Sequence, residues 1–418
     1  MKHEINKKRL FYACSIALVV TAMTFSIRAG LLGTLGTWFS LSPKEIGEVA
    51  AAAFWGFTLA MFLGGPLCDI IGLKRMYLVA FLAHLAGIIL TISATGYWSL
   101  FLSTLLVGIG NGCIESASYT LVSSMYTNDK ARKINDWHIW FPGGIVIGGI
   151  LAYLCSLAHI GWQWQMALMI VPTIVYGYMF FGQAFPSSER VSLGISNKGM
   201  IRECGRPMFI FMLLCMLLTA ATELGTNQWI AELLSNIGVP AILLLVFING
   251  IMVIGRANAG AILKRISATG VLFLSAVLSF TGLLWLGYAQ GYTAFVAAGI
   301  FAAGICFFWP TMIGFVAENL YKTGPLGLSL MGGVGLLSTA LVLPYMGQLY
   351  ASQMETATQQ LAIAGVDAAQ LADQSKLIAG AYTLRYVAVL PGILIVAFGA
   401  LHLYMRKRRQ SLPTIQLS

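Results

Sequence analysis

The stretch GPLCDIIGLKR, residues 65–75, lies between two long apolar runs and determines how the rest of the chain is interpreted. Gly65 and Gly72 permit a tight turn and a close approach of helices, because glycine adopts backbone conformations that other residues avoid. Asp69 can cap a helix or pair with a base. The Lys-Arg pair that closes the stretch adds two positive charges. These features predict a short charged turn between two membrane-spanning helices.

The composition places the whole chain in a membrane. Of its 418 residues, 58% are hydrophobic and 10% are charged, whereas soluble domains carry about 25% charged residues. Apolar runs of about 20 residues recur along the sequence, and each is long enough to cross roughly 30 Å of hydrocarbon as a helix. The strand alternation of a membrane barrel is absent. We therefore expect an all-α integral membrane protein embedded in the lipid bilayer.

Twelve such runs predict twelve transmembrane helices. They cover residues 10–38, 45–68, 75–95, 98–124, 137–158, 164–184, 207–233, 240–263, 269–289, 293–318, 326–350 and 382–405. The longest predicted connections are 185–206 and 351–381.

The sequence also repeats itself. The matching pairs are GPLCDIIGLKR at 65–75 with GRANAGAILKR at 255–265, TAMT at 21–24 with TAAT at 219–222, and Gly143-Gly144 with Gly332-Gly333. They keep one order and nearly one offset, which predicts two pseudo-symmetric six-helix bundles. We expect residues 1–184 and 207–418 to form the bundles and residues 185–206 to form a cytoplasmic loop between them. Repeats with a binding site at their interface are typical of transporters.

The positive charges predict the orientation. Twenty of the 25 Lys and Arg residues fall on one side of the predicted helices, and that side is cytoplasmic by the positive-inside rule. We expect a multi-pass protein of the cytoplasmic membrane with both termini in the cytoplasm. The net charge of +10 would also suit nucleic-acid binding. The basic residues form short clusters rather than a basic face, so no nucleic-acid partner is expected.

Motifs for catalysis are absent from the sequence. It contains no phosphate-binding loop, no His-Glu-x-x-His motif and no nucleophile elbow. The seven cysteines lack metal or redox spacing. We expect no enzyme activity, no catalytic residue, no metal and no cofactor, with a proton gradient as the energy source and a monomer as the working unit. A sensor with a transporter fold is an alternative that the sequence leaves open.

The stretch 65–75 resembles the signature loop between the second and third helices of the major facilitator superfamily. The residues that carry the match, and that the resemblance makes a conformational-switch loop, are Gly65, Asp69, Gly72, Lys74 and Arg75. The resemblance implies two six-helix bundles around a central cavity and secondary transport by alternating access. The second copy has Ala259 where Asp69 stands, so a charge lock made by this loop is stronger in the first half.

Further stretches are similar to the fucose–proton symporter branch of sugar transporters. They are GIGNGCIES at 108–116, KINDWHIWFPGG at 133–144, GRANAGAILKR at 255–265, FFWPTM at 307–312 and GLSLMGG at 327–333. The branch has a proton-coupling carboxylate on helix four, which Glu115 matches. It also has an Asp on helix one, where this chain has Arg28 and resembles organic-anion symporters instead. The resemblance implies proton-coupled uptake of a sugar or sugar-like solute. The alternatives are symport of a small organic anion, such as a sugar acid, and proton-driven export.

Two carboxylates in apolar spans are candidates for proton coupling. Ionised carboxylates are costly in a bilayer, so Glu115 and Glu223 must be neutral, paired or solvated. Asn111, Glu115 and Tyr119 share a helix face by their spacing of four residues. This face can line a polyol site, or it can form a polar seam between helices.

The remaining candidates would bind substrate. Arg28 can donate two N–H hydrogen bonds to a substrate carboxylate, or it can pair with Glu115 or Glu223. Asn227 shares the face of Glu223 by α-helical spacing, and a bend at Gly225 is possible. Indoles stack on sugar rings, so the binding candidates include Trp140, Trp229 and Trp309. The alternative for a single Trp is the aromatic belt at the membrane surface. We interpret Arg256 as a helix-packing residue.

Overall fold

The computed structural model describes residues 5–126, 130–186, 197–234, 240, 242–263 and 265–410, and the regular structure in these ranges is helical. The helices are α1 Lys7–Phe39, α2 Pro43–Ile71, α3 Leu73–Ile92, α4 Tyr97–Met125, α5 Lys130–His138, α6 Trp140–Leu157, α7 Trp162–Ala167, α8 Ile170–Phe180, α9 Asn197–Cys204, α10 Pro207–Ala220, α11 Thr226–Leu233, α12 Ile242–Ala257, α13 Ala259–Leu263, α14 Ala268–Leu286, α15 Thr293–Ile305, α16 Phe308–Asn319, α17 Gly324–Ile363, α18 Ala368–Val387 and α19 Val389–Gln410. A π-helical turn, Ala221–Gly225, joins α10 to α11, and a 3₁₀ turn, Tyr321–Thr323, precedes α17.

Ten apolar stretches in the described chain are long enough to cross a membrane, and α12 is a shorter apolar helix. The remaining predicted crossing, 164–184, is built from α7 and α8, which are separated by Leu168 and Met169. Several crossings are interrupted in the same way, for example at Ile139 between α5 and α6. The twelve-crossing, all-α membrane fold predicted from hydropathy is confirmed.

Local sequence explains the ends of α2. The Ser42 hydroxyl accepts a hydrogen bond from the Glu45 N–H at 3.3 Å, and the Glu45 carboxylate accepts one from the Ser42 N–H at 2.8 Å. This reciprocal pair is a capping box. Gly72 separates α2 from α3 with φ of 83°, a conformation that favours glycine. Lys74 and Arg75 of the signature stretch are exposed, while Gly65 and the side chain of Asp69 lie outside the part that the structure describes in detail.

The predicted connection 351–381 is largely helical. Helix α17 continues to Ile363, and α18 begins at Ala368. Residues 351–363 contain seven polar residues among Ala, Met, Leu and Ile. Ala and Gln, three of each, are good helix formers, so the apolar run ends before the helix does. The Thr358 hydroxyl donates a hydrogen bond to Ser375 Oγ at 2.9 Å and ties the two helices together. Within the predicted loop 185–206, the structure likewise contains a short helix, α9.

With twelve crossings, the start of α1 and the end of α19 lie on one face, which we call the terminal face; the opposite face is the far face. Arg9, near the start of α1, donates hydrogen bonds to the carbonyls of Tyr178 and Met179 at the end of α8. In the first half of the chain α1 packs on α6 and α2 packs on α4; in the second half α14 packs on α15 and α17 packs on α18. The halves meet where α2 contacts α17, α6 contacts α12 and α1 contacts α11.

Glycines bring the two halves together near the far face. A Cβ added to Gly47 of α2 would lie 2.7 Å from the carbonyl oxygen of Leu343 in α17. In the same contact, a Cβ on Gly347 of α17 would collide with the carbonyl oxygen of Pro43. The backbones of α2 and α17 therefore approach closely, as small residues at a helix contact allow, and this contact joins the two halves near the far face.

Candidate transport site between the two halves

Glu115 of α4 lies beside His138 of α5. The Glu115 side chain is buried, and its Oε1 is 3.5 Å from His138 Nε2. The hydroxyl of Tyr119, one turn along α4, forms a hydrogen bond with the same ring nitrogen. Neighbouring Trp137 donates its indole N–H to the carbonyl of Cys14 in α1 at 3.1 Å, which fixes the end of α5. A carboxylate, an imidazole and a phenol thus meet in the interior of the first half.

Residues of the second half reach this group through Tyr119. Trp309 of α16 lies close enough to the Tyr119 hydroxyl to interact with it, and Arg256 of α12 acts on it electrostatically. The Trp309 ring is held against Gly335 of α17, where a Cβ would come 2.9 Å from it. The Trp309 indole N–H is buried and has no acceptor within hydrogen-bond distance in the described part of the chain, so its interaction with the Tyr119 hydroxyl is longer than a hydrogen bond. This N–H is a free donor at the boundary between the halves.

Glu223 forms a buried ion pair with Arg256. Its Oε1 is 3.1 Å from Nη2 of Arg256, and the two side chains are only 5% and 9% exposed. The Nε of Arg256 also donates to the carbonyl of Cys306 at 3.2 Å. Arg256 is therefore the charge partner of Glu223, whereas the sequence suggested only a packing role.

Arg28 of α1 has neither predicted carboxylate as a partner. It is 3% exposed, and its Nη2 donates to Oε1 of Gln228 at 3.4 Å. Its guanidinium stacks over the Phe25 ring, 5.4 Å from the centroid. Its Nε has no hydrogen-bond partner among the described residues. Glu115 and Glu223 pair elsewhere, so Arg28 is a buried cation whose hydrogen-bond acceptor is a neutral amide.

A small cavity adjoins Arg28. Its volume is about 10 Å³, and it is lined by Thr24, Arg28, Ile88, Thr91, Thr104, Val107, Met166 and Met169. A cavity of this size holds about one water molecule. In this conformation the space beside Arg28 is therefore too small for a sugar or a carboxylic acid of similar size.

Asn111 is occupied by contacts within the first half. Its Nδ2 donates to Thr24 Oγ1 at 3.1 Å, and its Oδ1 lies 2.8 Å from Nε2 of His84. His84 Nδ1 lies 3.0 Å from the Tyr176 hydroxyl. An amide oxygen accepts, so His84 donates from Nε2 and accepts from Tyr176 at Nδ1. Asn111 was predicted to bind substrate, but both ends of its amide join α1, α3 and α4, which favours the polar-seam alternative.

The other predicted binding residues are dispersed. Asn227 is 3% exposed, and neither polar atom of its amide has a partner in the described chain. Trp229 is 1% exposed and packs on Tyr350, with ring centroids 6.1 Å apart. Trp140 begins α6 with 43% of its surface exposed. Within the described residues, Trp140 makes no ring contact or hydrogen bond with the Glu115 group.

Sequence reasoning overlooked Gln228. It predicted that Asn227 shares the face of Glu223, because the spacing is four residues. The π-helical turn Ala221–Gly225 adds a residue to that turn, which rotates the residues that follow. Gln228, five residues after Glu223, therefore contacts Arg28. Gly225 is the only signal in the sequence for this irregularity.

Comparison with known proteins identifies the family. The profile described as Major Facilitator Superfamily matches residues 14–358, most of the chain. The chain belongs to the Major Facilitator Superfamily. Quinolone resistance protein NorB of Staphylococcus aureus (strain MSSA476) is 26% identical to this chain over 224 residues, which cover 51% of this chain and 46% of NorB. The match thus spans about half the length of the curated relative.

Solved structures of other transporters share the fold of this chain. The D-xylose–proton symporter has a TM-score of 0.70 at 13% identity, with 90% of this chain and 97% of that chain covered. A bacterial homologue of the human lysosomal transporter Spinster, inward-facing and occupied, has a TM-score of 0.72 at 13% identity, with 94% and 96% covered. The nucleoside transporter NupG has a TM-score of 0.70 at 13% identity, with 94% and 98% covered. These identities establish a shared fold alone, so the sugar-symporter branch stays a prediction.

Proposed function

We propose that this chain is a secondary transporter, not an enzyme, that imports a sugar or sugar-like solute by proton-coupled alternating access. The observation that carries the proposal is the group formed by Glu115, His138 and Tyr119, with the Trp309 indole from the other half beside it. A buried carboxylate can take up and release a proton as its surroundings change. An indole offers the ring face and the N–H donor that a polyol requires.

The contacts between the halves support a rocking motion. Gly47 and Gly347 join the halves near the far face, and transport requires this contact to open while the terminal side closes. We assign the moving bundles to residues 1–184 and 207–418, linked by 185–206. The switch loop of Gly72, Lys74 and Arg75, together with Gly65 and Asp69, would lie on the closing side.

The remaining assignments follow from the charge distribution. We place the terminal face, with both termini, in the cytoplasm, and the protein in the cytoplasmic membrane as a monomer. No cofactor is needed in this proposal, because the proton gradient supplies the energy. The substrate would contact Trp309, Tyr119 and the unpaired amide of Asn227 once the halves separate.

Arg28 favours a second candidate, symport of a small organic anion such as a sugar acid. A buried guanidinium with a neutral acceptor and an unpaired Nε gains more from a carboxylate than from an amide, because charge-assisted hydrogen bonds are about twice as strong as neutral ones. The similarity to NorB favours a third candidate, proton-driven export. The three candidates differ in substrate charge and in direction.

Reconstituted protein separates these candidates. Thermal shift with neutral sugars, amino sugars and sugar acids would identify the ligand class. Proteoliposomes with an imposed proton gradient would then be tested for accumulation of that ligand. We expect accumulation on the side opposite to the higher proton concentration. Accumulation on the same side as the protons would establish export, and binding without either flux would contradict transport.

A further inference from the structure

Nε2 of His138 faces two oxygen atoms from α4. One is Oε1 of Glu115 at 3.5 Å, and the other is the hydroxyl of Tyr119. A ring nitrogen carries either a proton or a lone pair. With a proton it donates to the carboxylate. With a lone pair it accepts from Tyr119, and the Glu115 oxygen then approaches it favourably only if the carboxyl group itself holds a proton.

We propose that Glu115 and His138 hold the transported proton jointly, and that the Tyr119 hydroxyl donates to Glu115 when that proton leaves. The inference rests on the proposed proton coupling. It goes further by assigning the coupling site to a carboxylate–imidazole pair instead of to a single carboxylate.

The proton count balances in both states. In the loaded state one proton lies between the two side chains, which together carry no net charge whether it sits on the carboxylate or on the imidazole. In the released state Glu115 is a carboxylate that accepts from the Nε2–H of neutral His138 and from the Tyr119 hydroxyl, which also interacts with Glu115, and the pair carries one negative charge. The proton passes to water on the side that is then open. Sharing lowers the cost of burying the site, because neither group is left as an isolated ion when loaded.

Few other charges approach the pair in the described part of the chain. The charged and titratable groups that act on the pair through α4 are Tyr119 itself and Arg256 on α12. Lys133 of α5 pairs with Asp136 and lies over the rings of Phe11 and Tyr126. Arg256 is held by Glu223 at 3.1 Å, and Lys133 is held by Asp136 at 3.1 Å. Both neighbouring cations therefore have their own partners, and the proton remains the counter-charge for Glu115.

Transport assays of the reconstituted protein test the pair, because the effects of two substitutions at one shared site do not add. The variants are Glu115→Gln, His138→Gln and the double variant. His159→Asn is the control, because His159 is exposed just beyond the far-face end of α6. We expect each single variant to lose proton-driven accumulation and to keep energy-independent exchange. The double variant should be no worse than either, since both remove the same proton. Accumulation by His138→Gln at the wild-type level would overturn the shared site.

A second measurement does not depend on transport. The purified protein is acidified from pH 8 to pH 5 in weak buffer, and the protons that it takes up are counted with an indicator dye. We expect the wild type to take up one proton more than each single variant and than the double variant, because the group that remains stays neutral when buried alone. Uptake retained by either single variant would assign the proton to the surviving residue and overturn the proposal.

Tyr119→Phe covers the case in which His138→Gln does not fold, because it keeps the ring and removes only the hydroxyl. We expect it to take up the wild-type number of protons but to exchange substrate against a proton gradient more slowly, since the Glu115 carboxylate then lacks the phenol as a donor after release. Unchanged rates would remove Tyr119 from the site. If the wild type binds a sugar but shows no proton-driven flux, the proposed coupling fails, whereas the proton count still reports on the pair.

Discussion

Arg28 of α1 and Gln228 of α11 form a hydrogen bond across the boundary between the two halves, with Nη2 and Oε1 3.4 Å apart. Gln228 returns a hydrogen bond to the carbonyl of Phe25, also at 3.4 Å. Both distances are long for hydrogen bonds, and the acceptor of the guanidinium is neutral. A substrate anion that reaches Arg28 would therefore replace a weak bond with a stronger one.

Arg28→Lys distinguishes anionic from neutral substrates. If Arg28 binds a carboxylate with two N–H groups, a single ammonium cannot reproduce that geometry. Affinity for acids should then fall by about tenfold or more, which corresponds to ~1.4 kcal/mol, while affinity for neutral sugars should stay the same. Ligand-induced thermal shift of both proteins measures the difference. An equal loss for both ligand classes would show that Arg28 acts only on the contact between the halves.

Asn111 and Asn227 provide a matched pair. Asn111→Ala removes the acceptor of His84 and the donor to Thr24, so it should cost about 1–3 kcal/mol of stability by leaving buried polar groups unpaired. Asn227→Ala removes an amide with no described partner, so stability should change little. If Asn227 binds the solute, its affinity should fall about fivefold to tenfold. Thermal unfolding with and without ligand measures both effects, and the reverse pattern would contradict this assignment.

The Glu223–Arg256 pair should behave as a unit. Arg256→Gln leaves a buried carboxylate without its cation and should cost about 3–5 kcal/mol. Glu223→Gln leaves the cation alone and should also destabilise the protein. The double variant should recover much of the loss, because neither buried charge remains. Thermal unfolding of the three variants in detergent completes the cycle, and additive losses would show that the two side chains are not coupled.

A larger side chain at Gly47 should open the far face. Gly47→Leu places carbon atoms where the Leu343 carbonyl lies, so α2 and α17 must separate. Spin labels at Lys44 and Gln353 should then report longer distances, with Cys204 replaced because the other six cysteines are buried. Gly250→Leu is the control, since a Cβ there meets no atom within 4 Å. Unchanged distances in a folded Gly47→Leu protein would rule out this contact as the closure.

Cysteine accessibility tests the orientation. Labels at Lys74 and Lys407 should react only from the cytoplasm, and a label at Gln353 only from outside, because the clustered positive charges favour the cytoplasmic side. Impermeant reagents on whole cells and on inverted vesicles provide the comparison. Reaction of Lys74 and Gln353 from the same side would contradict the twelve-crossing topology.

The sequence predicts the architecture well, because lipid leaves the backbone few choices. Apolar runs reveal the crossings, and Gly72 marks the turn between α2 and α3. The end of α17 could not be predicted in the same way. Seven of its last 13 residues are polar, so hydropathy shows where the apolar run stops but carries no information about the end of the helix.

The site was less predictable, because its residues meet through tertiary packing. Regular α-helical spacing fails at the π-helical turn, so Gln228 takes a contact that could not be assigned to it in advance. Asn111 and Glu115 look equivalent in the sequence as polar residues on one face. Asn111 is hydrogen-bonded to His84 of α3, whereas Glu115 faces His138 of α5. Only the positions of the neighbouring helices separate a structural amide from a candidate functional carboxylate.

The length of α17 has a mechanical consequence. At 40 residues it is a rod of about 60 Å, and its last 13 residues reach roughly 20 Å beyond Tyr350. The same helix carries the Gly347 contact with α2 and ends close to the bend at Gly365. A tilt of a few degrees where α17 meets α2 therefore produces a larger displacement at this outer tip, because displacement grows with distance from the contact. A fluorophore at the exposed Ile363 would make each cycle of the buried site visible from outside the membrane.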